Sequence, residues 1–335
     1  MTFLVGHENN LALLERAVRE GRPAHAYLFT GPEGIGKKLV ALKFACLLNC
    51  ALPGEDPDCS CNVCRRIITE KHPDVTIERP SKGIIRIDRI RDLQTFFKYA
   101  PVEGRYRITI IDDAHLMNRS AQNALLKTLE EPPQRRILVL VSARPSALLP
   151  TVRSRSRRMR FNPIPFSLLA GLLEQRGFLL DKAKSLAAMS SGSLARAIEM
   201  DASSFLDLRE EVVSALTQRK AISGLLELSA AISVDRHTAI EAIEIALTWI
   251  RDLLVEQTGF KLAGRVHGDY LDRITSAAQH HSSRQLLSVY DELVKASSLI
   301  EADINVNRNM VTDVMFVKIA RILAGPTLGV GTALQ

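Results

Sequence analysis

Between Ala26 and Leu48 the chain runs from a short apolar stretch, Ala26-Tyr-Leu-Phe-Thr30, through Gly31-Pro-Glu-Gly-Ile-Gly-Lys37 into the helical run Leu39–Leu48. A GxxxxGK loop set between a strand and a helix points to an α/β P-loop sheet. Glycines let the loop curl so that its N–H groups converge, and the helix N-terminus adds partial positive charge at the same place. Phosphate oxygens suit such a nest, and Lys37 would reach the terminal ones. Without the flanking strand and helix, the same glycines would mean no more than a turn. Gly31, Gly34, Gly36 and Lys37 are therefore candidate nucleotide ligands.

Further strands fit the same sheet. Ile108-Thr-Ile-Ile111 is a buried, β-branched run that ends in Asp112 and Asp113, at the strand end where open α/β sheets bind ligands. Ile137–Ser142 is a second such run, and its terminal Ser142 hydroxyl either orients a water or phosphate or simply ends the strand. Asn118 and Ser120 are N-cap types before a helix with Ala121, Leu125 and Leu129 on one stripe, which Pro132-Pro133 stops. A strand over Val75–Glu78 and a helix over Ile87–Tyr99 fill the space between. Arg86, Arg89 and Arg91 at the start of that helix read as a solvated face, with a DNA or subunit contact as the sharper option. An N-terminal helix is expected with Asn9 or Asn10 as its cap.

One residue is wrong for a motor. After the loop lysine, a hydroxyl normally holds Mg²⁺; here Lys38 follows. An ammonium has no lone pair to offer a metal and repels it. Four cysteines then fall within fifteen residues, Cys50, Cys59, Cys61 and Cys64, spaced C-x8-C-x-C-x2-C. Clustered thiols of this kind can enclose a tetrahedral structural zinc with no open position. Cys46, one turn earlier, reads as a small buried hydrophobe. Between Leu149 and Arg158 four arginines occur in six positions, Arg153, Arg155, Arg157 and Arg158. Guanidinium neutralises charge spreading over a transferred phosphoryl group, so a finger into a neighbour's site, a phosphate-backbone contact and a solvated face are all open.

Charge is uneven. Residues 1–165 hold 27 Lys/Arg against 17 Asp/Glu (+10), and residues 166–335 hold 17 against 20 (−3). The basic half suits a polyanion, whether nucleotide or nucleic acid. No apolar run has membrane-spanning length, and MTFLVGHENN lacks the build of a signal peptide, so a cytoplasmic protein is expected. Pro163 and Pro165 mark the exit from the first domain. Residues 166–200 read as two or three short helices, with Leu168, Leu169, Leu172 and Leu173 on one face. Residues 204–324 are almost wholly helical by period: Trp249, Leu253 and Leu254 lie in one long amphipathic run, with Trp249 read as core packing, and Leu286, Val289, Leu293, Ala296 and Ile300 trace another. The tail from Gly325 is expected to fray.

The segments HAYLFTGPEGIGK (25–37), the four-cysteine insert, HPDV (72–75), NALLKTLEEPP (123–133) and LPTVRSRS (149–156) together carry a resemblance. Over roughly residues 3–200 the chain resembles the AAA+ clamp-loader subunits of bacterial DNA polymerase III, and among them the delta-prime type. Asn305-Val-Asn307 before an apolar run is similar to the end of that type's last domain. The resemblance implies an AAA+ domain with a parallel five-stranded sheet at 1–165, its zinc-bearing insert near 50–64, a small helical lid at 166–203 and an all-α collar at 204–335. It implies that Arg155 acts in trans as an arginine finger in an adjacent ATPase subunit. Its implied partners are gamma/tau and delta subunits in a hetero-pentamer, with the sliding clamp and primer-template DNA met through the complex, and no membrane.

Three departures accompany the resemblance. Lys38 stands for the family's Thr, Asp113 for its Glu, and Gly192-Ser-Leu-Ala195-Arg196 carries its arginine one place late. Each touches hydrolysis, so a non-hydrolysing subunit is expected, one able to hold ATP or ADP but not to cleave it. The Cys59-x-Cys61 spacing is also one residue short of the usual x2. The alternatives are an ATP-hydrolysing gamma/tau-type motor and a stand-alone zinc-containing DNA-binding protein.

Overall fold

The structure is a computed structural model and describes residues 6–50, 59, 61–217, 222–259, 265–302 and 307–324. Asn305, Val306 and the tail from Gly325, on which two expectations fall, lie outside these residues. The chain divides into two units, Met1–Leu169 with Ser191–Arg196, and Ala170–Ser190 with Ala197–Gln335.

In the first unit, β1 (Ala26–Thr30), β2 (Val75–Glu78), β3 (Arg107–Ile111), β4 (Arg136–Ser142) and β5 (Arg157–Arg160) pair in parallel in the order β2-β3-β4-β1-β5. This is the expected five-stranded sheet. The helices around it are α1 (Glu8–Arg19), α2 (Lys37–Asn49), α3 (Asn62–Ile68), α4 (Ile87–Lys98), α5 (Arg119–Glu130) and α6 (Pro150–Ser154). Successive strand residues point to opposite faces, so each central strand feeds two cores. Ile137, Val139 and Val141 of β4 join Leu14, Phe44 and Ile67 of α1, α2 and α3. Leu138 and Leu140 join Ile90, Leu93, Leu125 and Leu129 of α4 and α5. That two-sided burial is why these strands read as unbroken apolar runs.

The caps bear out one expectation and correct another. Asn118 caps α5, its Oδ1 accepting the Ala121 N–H at 2.8 Å, and Glu131 leaves helical geometry just before Pro132. Asn9 and Asn10 lie inside α1 and do not cap it; His7 holds the N-cap place. The His7 ring instead reaches across the chain, Nε2 lying 2.6 Å from the Ile35 carbonyl, and Asn10 Nδ2 donates to the Arg160 carbonyl at 3.0 Å. Both residues thus serve the P-loop side of the sheet.

The remaining helices are α7 (Phe166–Gln175), α8 (Leu180–Met189), α9 (Leu194–Ala202), α10 (Phe205–Thr217), α11 (Ile222–Ile232), α12 (Arg236–Gln257), α13 (Leu271–His280), α14 (Ser283–Glu301) and α15 (Arg308–Ala324). Leu169, Leu172 and Leu173 are buried as expected; Leu168 is not, at 43% exposure, because it turns off that stripe. In the second unit α14 packs against α12 and α15, with its five-residue stripe Leu286, Val289, Leu293, Ala296 and Ile300 fully inside. A reciprocal capping box between Ser282 and Gln285 starts α14. Trp249 is completely buried.

Polar groups are buried beside that tryptophan. Arg209 donates from Nε to His267 Nδ1 at 3.0 Å and from its terminal nitrogens to both oxygens of Asp269. With an arginine donating to Nδ1, the proton of neutral His267 sits on Nε2, 3.0 Å from Thr248 Oγ1. Among the described residues no helix is long and apolar enough to cross a membrane.

Candidate nucleotide and metal sites

Topology gathers the nucleotide candidates. The P-loop follows β1, the acids follow β3, and β4 lies between those strands, so Ser142 is set between the loop and the acid pair. Thr30 and Ser142 are in register, and the Gly31 N–H donates to the Ser142 carbonyl at 3.3 Å. Gly34 and Gly36 have φ of +68° and +98°, values that favour glycine, and Gly36 is the uncapped N-cap of α2. Gly34 is also hemmed in: a Cβ there would lie 2.1 Å from Ser193 Oγ. The Ala195 N–H meets the Gly34 carbonyl at 3.4 Å, so the segment Ser191–Arg196 is laid against the loop. Lys37 is buried and its Nζ donates to the Gly31 carbonyl at 2.8 Å and to the Pro32 carbonyl. Burial pulls its pKa down, while Asp113, Glu33 and Asp112 push it back up.

Lys38 is where the sequence departs, and its placement explains what the departure does. Its Nζ lies 3.3 Å from Glu70 Oε1 and 3.9 Å from Asp112 Oδ2. Arg79 also pairs with Glu70. Burial, and then the neighbouring Asp113, raise the Asp112 pKa, and Lys38 and Arg79 oppose the rise. The acid of β3 therefore faces a fixed ammonium. Asp113 follows at the strand end with φ of +49°, and it is the foremost of the acids that push the Lys37 pKa back up. Ser142 is fully buried and its Oγ has no hydrogen-bond partner. The loop thus fits phosphate: a curled glycine backbone, an open helix N-terminus, a lysine and an unsatisfied hydroxyl. It does not fit magnesium, since Lys38 fills the position of the metal's hydroxyl ligand and occupies the acid that would face the ion. Glu70 and Arg79 carry no local motif, since each joins this network only through tertiary packing, whereas Ser193 lies in the segment 192–196 already singled out in the sequence.

The four cysteines come together at the junction of two helices. Cys50 closes α2, and Cys61 is the N-cap of α3, its Sγ accepting the Cys64 N–H at 3.4 Å. All four sulfurs lie within 4.8 Å of one another, with Cys50 Sγ 3.6 Å from Cys59 and 3.9 Å from Cys61. A tetrahedral Zn–S₄ centre with bonds of about 2.3 Å needs sulfur separations of about 3.8 Å. The short Cys59-x-Cys61 spacing is no obstacle to that geometry. The Cys64 N–H lowers the Cys61 pKa to about 7, favouring a thiolate there, whereas burial raises Cys64. The cluster can hold a metal ion. Cys46, pushed up to about 11 by burial, stays a thiol and contacts the Cys64 carbonyl at 3.8 Å, in keeping with its expected packing role.

Arg155 pairs with residues outside the P-loop. It follows α6, with Nη2 2.9 Å from Glu130 Oε1 and Nη1 donating to the Thr151 carbonyl at 3.2 Å, and its side chain is 37% exposed. The next residues form the edge strand β5, with Arg157, Arg158 and Arg160 exposed.

A family described as DNA polymerase III, delta subunit, matches residues 6–165, and one described as the C-terminal part of the same subunit matches residues 203–317. The delta' subunit of Pseudomonas aeruginosa is 29% identical over 90% of this chain and 93% of its own length. The chain belongs to the delta' family of DNA polymerase III clamp-loader subunits. The delta' subunit of Bacillus subtilis is 33% identical over 63% of this chain and 65% of its own. The gamma/tau subunit of Mycobacterium tuberculosis H37Rv is 38% identical over 54% of this chain, which spans only 32% of that relative.

Proposed function

We propose that this chain is a non-hydrolysing clamp-loader subunit that braces a ring of related subunits and offers Arg155 to a neighbour's ATP site. The observation that carries the reading is Lys38, held against Glu70 and Asp112 where a hydrolysing site needs a hydroxyl and a metal. Phosphate binding by Gly31, Gly34, Gly36, Lys37 and Ser142 remains compatible with it. Arg155 supports the second half of the reading: it is partly exposed and, among the described residues, tied to a surface carboxylate and one carbonyl, so little holds it back. In this reading Cys50, Cys59, Cys61 and Cys64 bind a structural Zn²⁺ that joins α2 to α3.

The proposed partners are gamma/tau and delta subunits in a hetero-pentamer, with the sliding clamp and primer-template DNA contacted through the complex, in the cytoplasm. The proposed division of labour is a nucleotide-type domain at 1–165, a lid at 166–203 and a collar at 204–335. Isolated chain given Mg²⁺ and ATP should release no phosphate above background. Turnover near the typical enzyme value of about 10 s⁻¹, lost on Lys37→Ala, would overturn the reading.

The 38% identity to gamma/tau favours a second reading, a hydrolysing motor. The same assay decides between them, and Lys38 weighs against the motor.

A further inference from the structure

In a magnesium-dependent P-loop, the hydroxyl after the loop lysine and the acid of the neighbouring strand serve the ion that bridges the outer phosphates. Lys38 meets both needs with one group: it replaces the hydroxyl, and its Nζ is 3.9 Å from Asp112 Oδ2 and 3.3 Å from Glu70 Oε1. Arg79, paired with Glu70, adds a second fixed cation to the network. The strand acid is thus already compensated by the chain itself, and a dication brought there would meet an ammonium with no lone pair. What faces phosphate is intact. Gly34 and Gly36 keep the loop curled, α2 begins without a side-chain cap, and Lys37 closes the nest. The Ser142 hydroxyl is wholly buried and lacks a partner, while the same residue's carbonyl is tied to the first residue of the loop. A buried hydroxyl left unsatisfied is costly, and a phosphate oxygen would accept its proton.

We propose that residues 31–38, with Ser142, form a magnesium-independent polyphosphate site in which the Lys38 ammonium supplies the charge a metal ion supplies in a motor. Its ligand class is a nucleoside di- or triphosphate in metal-free form. This rests on the nucleotide reading above and goes past it: magnesium is a competitor at the site. A nucleotide chelated by Mg²⁺ has lost part of its negative charge, and it carries a hydrated dication towards Lys38.

The test is binding of a fluorescent ADP analogue to the full-length, metal-replete chain. Titrations are run in buffer freed of magnesium by ion-exchange resin, because a strong chelator would strip the cysteine site, and again with excess Mg²⁺. Coulomb repulsion across a few ångströms of partly screened protein predicts tighter binding without magnesium, on the order of tenfold. Lys38→Thr should reverse the preference, and Lys37→Ala should abolish binding in both buffers, which locates the probe at the loop. Lys38 is part-exposed, so its variant is expected to melt with the parent. Binding that requires magnesium, or a Lys38→Thr variant with unchanged metal preference, overturns this proposal alone. No binding in either buffer overturns it together with the nucleotide reading.

Discussion

Arg155 is the residue whose surroundings most limit what it can do at home. Among the described residues it meets Glu130 and the Thr151 carbonyl, and an exposed ion pair of this kind is worth at most about 1 kcal/mol. Glu130→Gln should therefore leave the urea midpoint almost unchanged and should not lower ATP turnover of a reconstituted loader. Arg155→Ala should still fold and assemble, yet slow hydrolysis at the one site it serves by about 10³-fold, the usual worth of an arginine finger. Unaltered turnover in that variant would count against the finger role. The residues legible in the sequence, Lys37, Lys38, Arg155 and the four cysteines, are those with a fixed offset from a local motif. Glu70, Arg79 and Glu130 were not legible as partners, since each meets its cation only after separate elements pack.

Elements divide along the same line. β1 to β4 were readable because two-sided burial demands continuous apolar runs, and motifs flank them. β5 was not: three of its four residues are arginine, only Met159 is buried, and its extended form comes from pairing with β1 at the sheet edge. The loop before β3 shows a buried polar device behind the HPDV motif. Asp74, fully buried, accepts N–H groups from Val102, Glu103 and Gly104 at 2.8, 2.9 and 2.8 Å, and Arg107 lies beside it. Burial alone would raise its pKa, but these donors outweigh burial and lower it. Asp74→Ala leaves Arg107 unpaired in the interior and should cost about 3–5 kcal/mol in urea unfolding. At the metal cluster, Cys64→Ser should drop bound zinc from about one ion per chain to near zero, and a chelator should lower the melting temperature of the parent but not of the variant. Zinc that stays bound in the variant would disprove the ligand set.

At the scale of the whole molecule, the two units carry different sensitivities. In the second, burial and then Arg209 hold the His267 pKa at about 3, well below its ordinary value. A depressed histidine favours its neutral form in the fold, so its contribution is complete above about pH 6.5 and is lost as pH falls towards 3. Between pH 7 and pH 5 this should remove about 2 kcal/mol. Glu210, lowered to about 2 by Tyr270, adds loss of the same sign at lower pH, while Asp252, raised by burial, works oppositely in the window just above its unfolded value. The single tryptophan, Trp249, lies edge-on to His267 at 5.5 Å, so its fluorescence reports this unit. Urea unfolding followed at Trp249 should weaken from pH 7 to 5, and His267→Gln should flatten the trend; a parent profile that is already flat would refute it. The first unit has a different peculiarity: it is assembled from two separated stretches, because Ser193 and Ala195 lean on Gly34. As the polypeptide leaves the ribosome, β1 to β5 can collapse early, but the loop stays uncovered until about thirty further residues have followed. Its birth order and its finished order differ, and a shortened gene ending near Pro165 would yield a loop permanently missing its cover.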